Sequence, residues 1–267
     1  MSEPKLELLW SQEFDLDGET VPCEAFWNYD LGDGTEKGIP GWGNNELEYY
    51  VESAARLDGT SNLVIQALRN VDLQLPAYYG RNAEWTSARL HTAGKVEFLY
   101  GHLEIRAQFA EGLGTWPALW MLGTDLAQVG WPQCGEIDIA EGRGDQPGAL
   151  YTTVHGPNYS GEQGKGKVTD IGLALSKDFY VFAIDWLPDS ITWTLDGEAV
   201  LSITPNDVAG EWVFNKAHFM LANLAMGGNF TGPVSPDLMS ADFKIDYIRH
   251  FSIDGVGSVI FPADQSL

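Results

Sequence analysis

The stretch Gly135-Glu136-Ile137-Asp138-Ile139-Ala140-Glu141-Gly142-Arg143-Gly144-Asp145 sets three acids among apolar residues at spacings of two and three. Strands alternate their faces, so Glu136 and Asp138 share one face while Ile137 and Ile139 share the other. Carboxylates side by side on a strand face repel one another. Acid–base or metal chemistry is the usual reason for keeping them there. Glu141 follows Glu136 by an odd offset and would point the wrong way in a regular strand. A β-bulge at Ile139-Ala140 adds one residue, reverses the phase and returns Glu141 to the acidic face.

The bulge has a geometric consequence. At about 3.3 Å per residue over four effective steps, Glu136 and Glu141 stand roughly 13 Å apart along the backbone. Two long side chains leaning inward from a concave sheet bring their carboxyls to about 5–5.5 Å, the separation used by retaining glycosidases. The face is therefore expected to be concave.

Outward from this strand the chain continues to read as β. Asn62 to Leu68 is a short apolar run. Leu103, Ile105, Ala107 and Phe109 alternate with His102, Glu104, Arg106 and Gln108, the pattern of a half-buried strand. Val96, Phe98 and Tyr100 have the opposite phase, so Gly101 marks a bulge or bend. Tyr151, Thr153 and His155 form a polar row, and Phe179 to Leu187 is largely apolar. Ser190 to Leu195 and Glu198 to Ile203 flank Asp196-Gly197, a type I′ hairpin signature. Asp242 to Phe251 reads as a late strand. No helical pattern recurs between strands, which argues against a βαβ fold. The expectation is an all-β antiparallel sandwich or barrel, with residues 1–267 as a single domain.

Composition narrows the function. The chain has 267 residues, is 44% hydrophobic and carries a net charge of -23. Nucleic-acid binding needs a basic footprint that is missing here, and a polyanionic substrate is disfavoured. A neutral substrate fits best. Ten Trp and ten Tyr supply core packing and also flat platforms for sugar rings. Two cysteines, Cys23 and Cys134, make no disulfide framework and are expected as buried free thiols. No run approaches the roughly 18 apolar residues of a membrane-spanning helix, so no membrane partner is expected. The start, Met1-Ser2-Glu3-Pro4-Lys5, has no apolar signal core.

Other readings of the acids compete with catalysis. They could be a solvated strand face, a site for a hard cation, or scattered charge in an acidic chain. The Ile-rich opposite face and the flanking Trp131-Pro132 and Thr115-Trp116-Pro117-Ala118-Leu119-Trp120 fit a solvated face poorly. Cation sites of this kind are normally wrapped by loops. The catalytic reading accounts for both the odd spacing and the aromatic neighbours.

The acid segment resembles the signature of glycoside hydrolase family 16, in the form seen in endo-β-1,3-glucanases (laminarinases): Glu, apolar, Asp, apolar, one extra residue, Glu. The likeness spans nearly the whole chain. It includes Trp42-Gly43-Asn44-Asn45-Glu46-Leu47-Glu48-Tyr49-Tyr50, Thr86-Ser87-Ala88-Arg89-Leu90 and Tyr100-Gly101-His102-Leu103-Glu104-Ile105-Arg106. It continues through Gly114 to Leu122, His155-Gly156-Pro157 and Asn223-Leu224-Ala225-Met226-Gly227-Gly228-Asn229.

The resemblance implies a jelly-roll β-sandwich of two antiparallel sheets with a concave sugar cleft. It implies a retaining mechanism in which Glu136 is the nucleophile, Glu141 the general acid/base and Asp138 the assisting carboxylate. Ionised Glu136 and Asp138 should raise the pKa of Glu141 and keep it protonated near neutrality. Trp116 and Trp120 are candidates to stack on sugars, and Asn45, Arg89 and Asn223 to bond hydroxyls. Arg89 reads equally well as a structural ion pair. His155 is expected to line the cleft. A structural Ca²⁺ on the convex side, near Glu13, Gly59 and Asp246 and bound partly through backbone oxygens, is a further implication, with no cofactor for catalysis itself.

The substrate implied is a neutral β-glucan of the laminarin type, with mixed-linkage β-1,3-1,4-glucan also open. The extra residue in the acid motif disfavours lichenase-type relatives, and the negative charge disfavours sulfated galactans. A hydrolase of agarose or carrageenan type, or a non-catalytic β-glucan-binding protein, is the alternative. Binding relatives typically lose the acids, and this chain keeps all three. A monomer is expected, acting outside the cell or in a periplasm because such polymers are too large to enter cells; a cytoplasmic site stays open.

Overall fold

Two β-sheets lie face to face over a shared apolar core. The computed structural model describes residues 4–15, 20–69 and 74–262; Met1, Ser2 and Glu3, part of the segment read for a signal core, lie outside them. One sheet carries the acid strand Glu136–Arg143. Its main path, edge to edge, is Lys165–Asp170, Gln146–His155, Glu136–Arg143, Thr115–Gly123, His218–Met226, Arg89–His91 and Asn28–Asp30. The facing sheet runs Glu198–Ile203, Ser190–Leu195, Tyr180–Leu187, Gly101–Gln108, Ser240–Ile253, Leu63–Arg69, Trp85–Ser87 and Glu48–Tyr50. Neighbours pair antiparallel except Glu48–Tyr50 with Trp85–Ser87. This is the expected jelly-roll sandwich.

The alternation read from sequence sets which side chains fill the core. Leu103, Ile105 and Ala107 are buried, while His102, Glu104, Arg106 and Gln108 are half-buried on the outer face. Burying one such Leu or Ile stabilises by about 1.5–3 kcal/mol. Trp186 and Trp193 fill the space between the sheets.

The turns follow their residues. Asp196 and Gly197 have φ of 49° and 83°, as a type I′ hairpin requires. Gly101 proves to be a bend between sheets rather than a bulge within one. Glu97–Leu99 belongs to the acid-bearing sheet and Gly101–Gln108 to the other. At Gly101, φ is +99° and a Cβ would stand 2.4 Å from the Phe251 carbonyl oxygen, so only glycine fits this corner. Both cysteines are free thiols, but only Cys134 is buried; Cys23 is half-exposed, contrary to expectation. No helix among the described residues is long and apolar enough to cross a membrane.

Candidate active site

The bulge is visible from both sides of the acid strand. On one side Trp120 faces Asp138 and Ala118 faces Glu141; on the other Thr153 faces Asp138 and Tyr151 faces Glu141. Each neighbour takes two steps where the acid strand takes three. Ile139 and Ala140 absorb the difference, and both are buried in the core. Glu141 therefore returns to the face of Glu136 and Asp138. A bulge disrupts the ladder locally, and here the facing sheet supplies a bond. The Trp193 indole N–H donates to the Asp138 backbone carbonyl at 2.9 Å. Gly142, next along, faces the core, where a Cβ would stand 2.5 Å from the Phe109 ring.

Each catalytic candidate has its own partners. Trp131 donates its indole N–H to Glu136 at 2.5 Å, and Trp116 donates to Glu141 at 2.8 Å. The His155 Nε2 lies 3.1 Å from Asp138 Oδ2. The Glu136 and Asp138 carboxyls lie close enough to share a proton.

The electrostatics extend the sequence argument. Glu141 is raised to about 7, as expected, but burial is the leading cause and the charge of Glu136 a lesser one. Burial and the neighbouring Asp138 also push Glu136 up to about 8, and burial with Glu141 holds Asp138 well above the ordinary carboxylate range. Burial thus raises all three acids and not Glu141 alone, and they titrate as a set. The Trp131 N–H favours the ionised form of Glu136 and so opposes its desolvation.

The other expected residues fall into two groups. Trp120 donates its indole N–H to the Asn223 side-chain oxygen at 2.7 Å, and the Asn223 amide donates to the Tyr50 hydroxyl at 3.2 Å. Asn223 is buried and committed to positioning Trp120. Arg89 combines both of its expected characters. Its Nε lies 2.9 Å from the buried Asp30 carboxylate, while its guanidinium lies over Trp42 and Trp120 at 4.6 and 4.8 Å. Asn45 is exposed and donates to Asn229 at 2.9 Å. Trp116 spends its N–H on Glu141 while its ring packs on Phe230.

Three contributors escape a reading of the sequence: Trp131, Asp30 and Tyr50. Trp131 stands in the sequence only as an aromatic flank of the acid motif, the one signal that marks it; in the fold it is 47% exposed. Asp30 and Tyr50 act through partners distant in sequence.

Metal binding was tested against the donors present. Glu136, Asp138 and His155 offer ligand atoms within 4.8 Å of one another. Yet His155 Nδ1 is buried without a hydrogen-bond partner, whereas a metal-bound imidazole normally donates its second N–H. At the expected calcium residues both acidic side chains are already paired: Glu13 is held by Arg249 through two bonds of 2.9 and 2.7 Å, and Asp246 accepts from Arg106 at 2.5 Å. A cation there would draw on backbone oxygens, that of Gly59 among them, as the resemblance implies.

The chain is similar to known proteins in sequence and in fold. The family model for glycosyl hydrolases family 16 matches residues 42–249. A beta-glucanase of Rhodothermus marinus is 37% identical over 262 residues, covering 92% of this chain and 85% of that protein. The laminarinase catalytic domain of Thermotoga maritima has a solved structure 42% identical, with a TM-score of 0.86, covering 92% of this chain and 98% of that one. An endo-beta-1,3-glucanase of Pyrococcus furiosus is 37% identical with a TM-score of 0.87, covering 95% and 99%. With a fold, an acid strand and a family model in agreement, the chain belongs to glycosyl hydrolases family 16.

Proposed function

We propose that this protein is an endo-acting, retaining hydrolase of β-1,3-glucan, with mixed-linkage β-1,3-1,4-glucan as a further substrate. One observation carries the assignment of roles. The bulge sets Glu136, Asp138 and Glu141 on one face, and each Glu receives an indole N–H from a different tryptophan. Glu136 attacks the anomeric carbon as the carboxylate, the proton it shares resting on Asp138, while Glu141 protonates the departing glycosidic oxygen. The glycosyl-enzyme then yields to water, which Glu141 deprotonates. Asp138 shares a proton with Glu136 and, with His155, adjusts the charge on the nucleophile.

Trp120 supplies an apolar ring face for a sugar, and Arg89, stacked on it, and Asn45 supply polar contacts at the same side of the site. The substrate is neutral, in keeping with the acidic chain. The enzyme works as a monomer, residues 1–267 form one catalytic domain, and its polymeric substrate places it outside the cell or in a periplasm.

The test is incubation with laminarin, barley mixed-linkage glucan, agarose and carrageenan, with reducing ends and product lengths measured. A ladder of short oligosaccharides from laminarin is expected. Release from agarose or carrageenan alone would move the enzyme to another substrate class, and binding without any release would make it a lectin-like relative.

A further inference from the structure

A second pair of acids lies beside the catalytic set. Glu46 and Glu48 are 3% and 1% exposed. Their separation of two in sequence puts both on one side of the chain, with their carboxyls close enough to interact. Two ionised carboxylates buried this close would repel and have no donor between them, so one of the pair holds a proton.

The surrounding bonds decide which carboxyl holds the proton. The Trp120 indole can only donate, so the Asn223 oxygen must accept and the Asn223 amide nitrogen must face Tyr50. The Tyr50 oxygen accepts from Asn223, so its hydroxyl proton goes to Glu46 Oε2 at 3.2 Å. Asn44 donates to Glu46 Oε1 at 3.0 Å. Glu46 thus accepts at both oxygens and is the anion. Glu48 Oε2 accepts the Met226 backbone N–H at 2.7 Å, while its buried Oε1 has no donor. A proton on Oε1, given to Glu46, satisfies it. Burial raises both acids, Glu48 the further because the Glu46 charge adds to it, while Arg89 offsets part of the rise at Glu46.

We propose that Glu48, protonated, and Glu46, ionised, form a positioning pair that anchors a one-way hydrogen-bond chain, Trp120 to Asn223 to Tyr50 to Glu46, and so fixes the Trp120 ring that receives the sugar. Every donor in the chain points toward Glu46. Neither acid touches the reacting atoms; the pair acts through Tyr50 and Asn223. This deepens the β-glucanase reading and rests on it.

The test compares three variants on laminarin oligosaccharides. Tyr50→Phe cuts the chain while leaving both acids in place and should raise KM about five- to tenfold with kcat within twofold, the loss of one buried hydrogen bond. Glu48→Ala should raise KM similarly. Glu48→Gln supplies an amide donor to Glu46 and an oxygen for Met226, and should restore KM to within about twofold of the parent. The infrared band of a protonated carboxylic acid should be weaker in Glu48→Gln than in the parent at pH 7.

An unchanged KM in Tyr50→Phe, or a KM in Glu48→Gln as high as in Glu48→Ala, would overturn the proposal. So would a fall in kcat with KM unchanged in Tyr50→Phe, which is the signature of lost folded enzyme or lost chemistry. If the parent fails to cleave laminarin, the β-glucanase reading fails; the carboxylic-acid band still decides the state of Glu48.

Discussion

Glu136→Gln should stabilise the protein while removing its activity, and the gain should depend on pH in a defined way. In the folded chain Glu136 is raised from the ordinary 4.5 to about 8, with burial the leading cause and Asp138 second. Below pH 4.5 the carboxyl is protonated in both folded and unfolded states and contributes nothing. Between 4.5 and 8 the unfolded chain releases the proton while the folded chain keeps it, so stability falls as pH rises. Above 8 the full penalty is present. The shift corresponds to at most about 5 kcal/mol at about 1.36 kcal/mol per pH unit.

Solvent reaches the partly exposed Glu136 and shares this penalty, so roughly 2–3 kcal/mol is the expected gain at pH 8. For a chain of this size that is about 5–10 °C in melting temperature. The glutamine oxygen still accepts from Trp131, and its amide replaces the proton shared with Asp138. Thermal melts of parent and variant at pH 4, 6 and 8 measure this directly. Equal melting temperatures at pH 8, or the same gain at pH 4 as at pH 8, would refute the reasoning. Turnover should fall by at least about 1,000-fold.

Other consequences follow from the same bonds. Trp116→Phe removes the donor that favours ionised Glu141, so the alkaline limb of kcat/KM, near pH 7 in the parent, should move up by about one pH unit. An unmoved limb in a pH–rate profile would count against Glu141 as the acid. Glu141→Ala should be partly rescued by azide on a substrate with an activated leaving group, because azide attacks the glycosyl-enzyme without base assistance; product analysis for the glycosyl azide checks it. Trp193→Phe leaves the Asp138 carbonyl unpaired in the core and should cost about 1–3 kcal/mol in denaturant unfolding.

Much of this was written in local sequence. The spacing of Glu136, Asp138 and Glu141 forced a bulge because strand period admits no other way to gather them, and the register bears this out. The Asp196-Gly197 hairpin and the alternation around Ile105 needed only turn chemistry and period two. What the sequence hid depends on distant pairings. Whether an indole donates to an acid or to an amide is set by its cross-strand neighbour, so the bonds from Trp116 to Glu141 and from Trp120 to Asn223 were not legible in the sequence. Arg89 could not be divided between two roles because Asp30 and Trp120 are brought to it by different strands. The side-chain partners of Glu13 and Asp246 were hidden for the same reason: Arg249 and Arg106 reach them only in the folded sheet. Burial, which dominates the acid pKa values, is a property of the sandwich and not of the motif.

The central claim is double displacement through Glu136 on a β-1,3-linked glucan. It is tested most directly by following the first product of laminarin cleavage by proton NMR, before mutarotation. The mechanism requires the new reducing end to appear first as the β-anomer, with the α-anomer growing in later. Initial appearance of the α-anomer would mean inversion, and would contradict the assignment of Glu136 as the nucleophile.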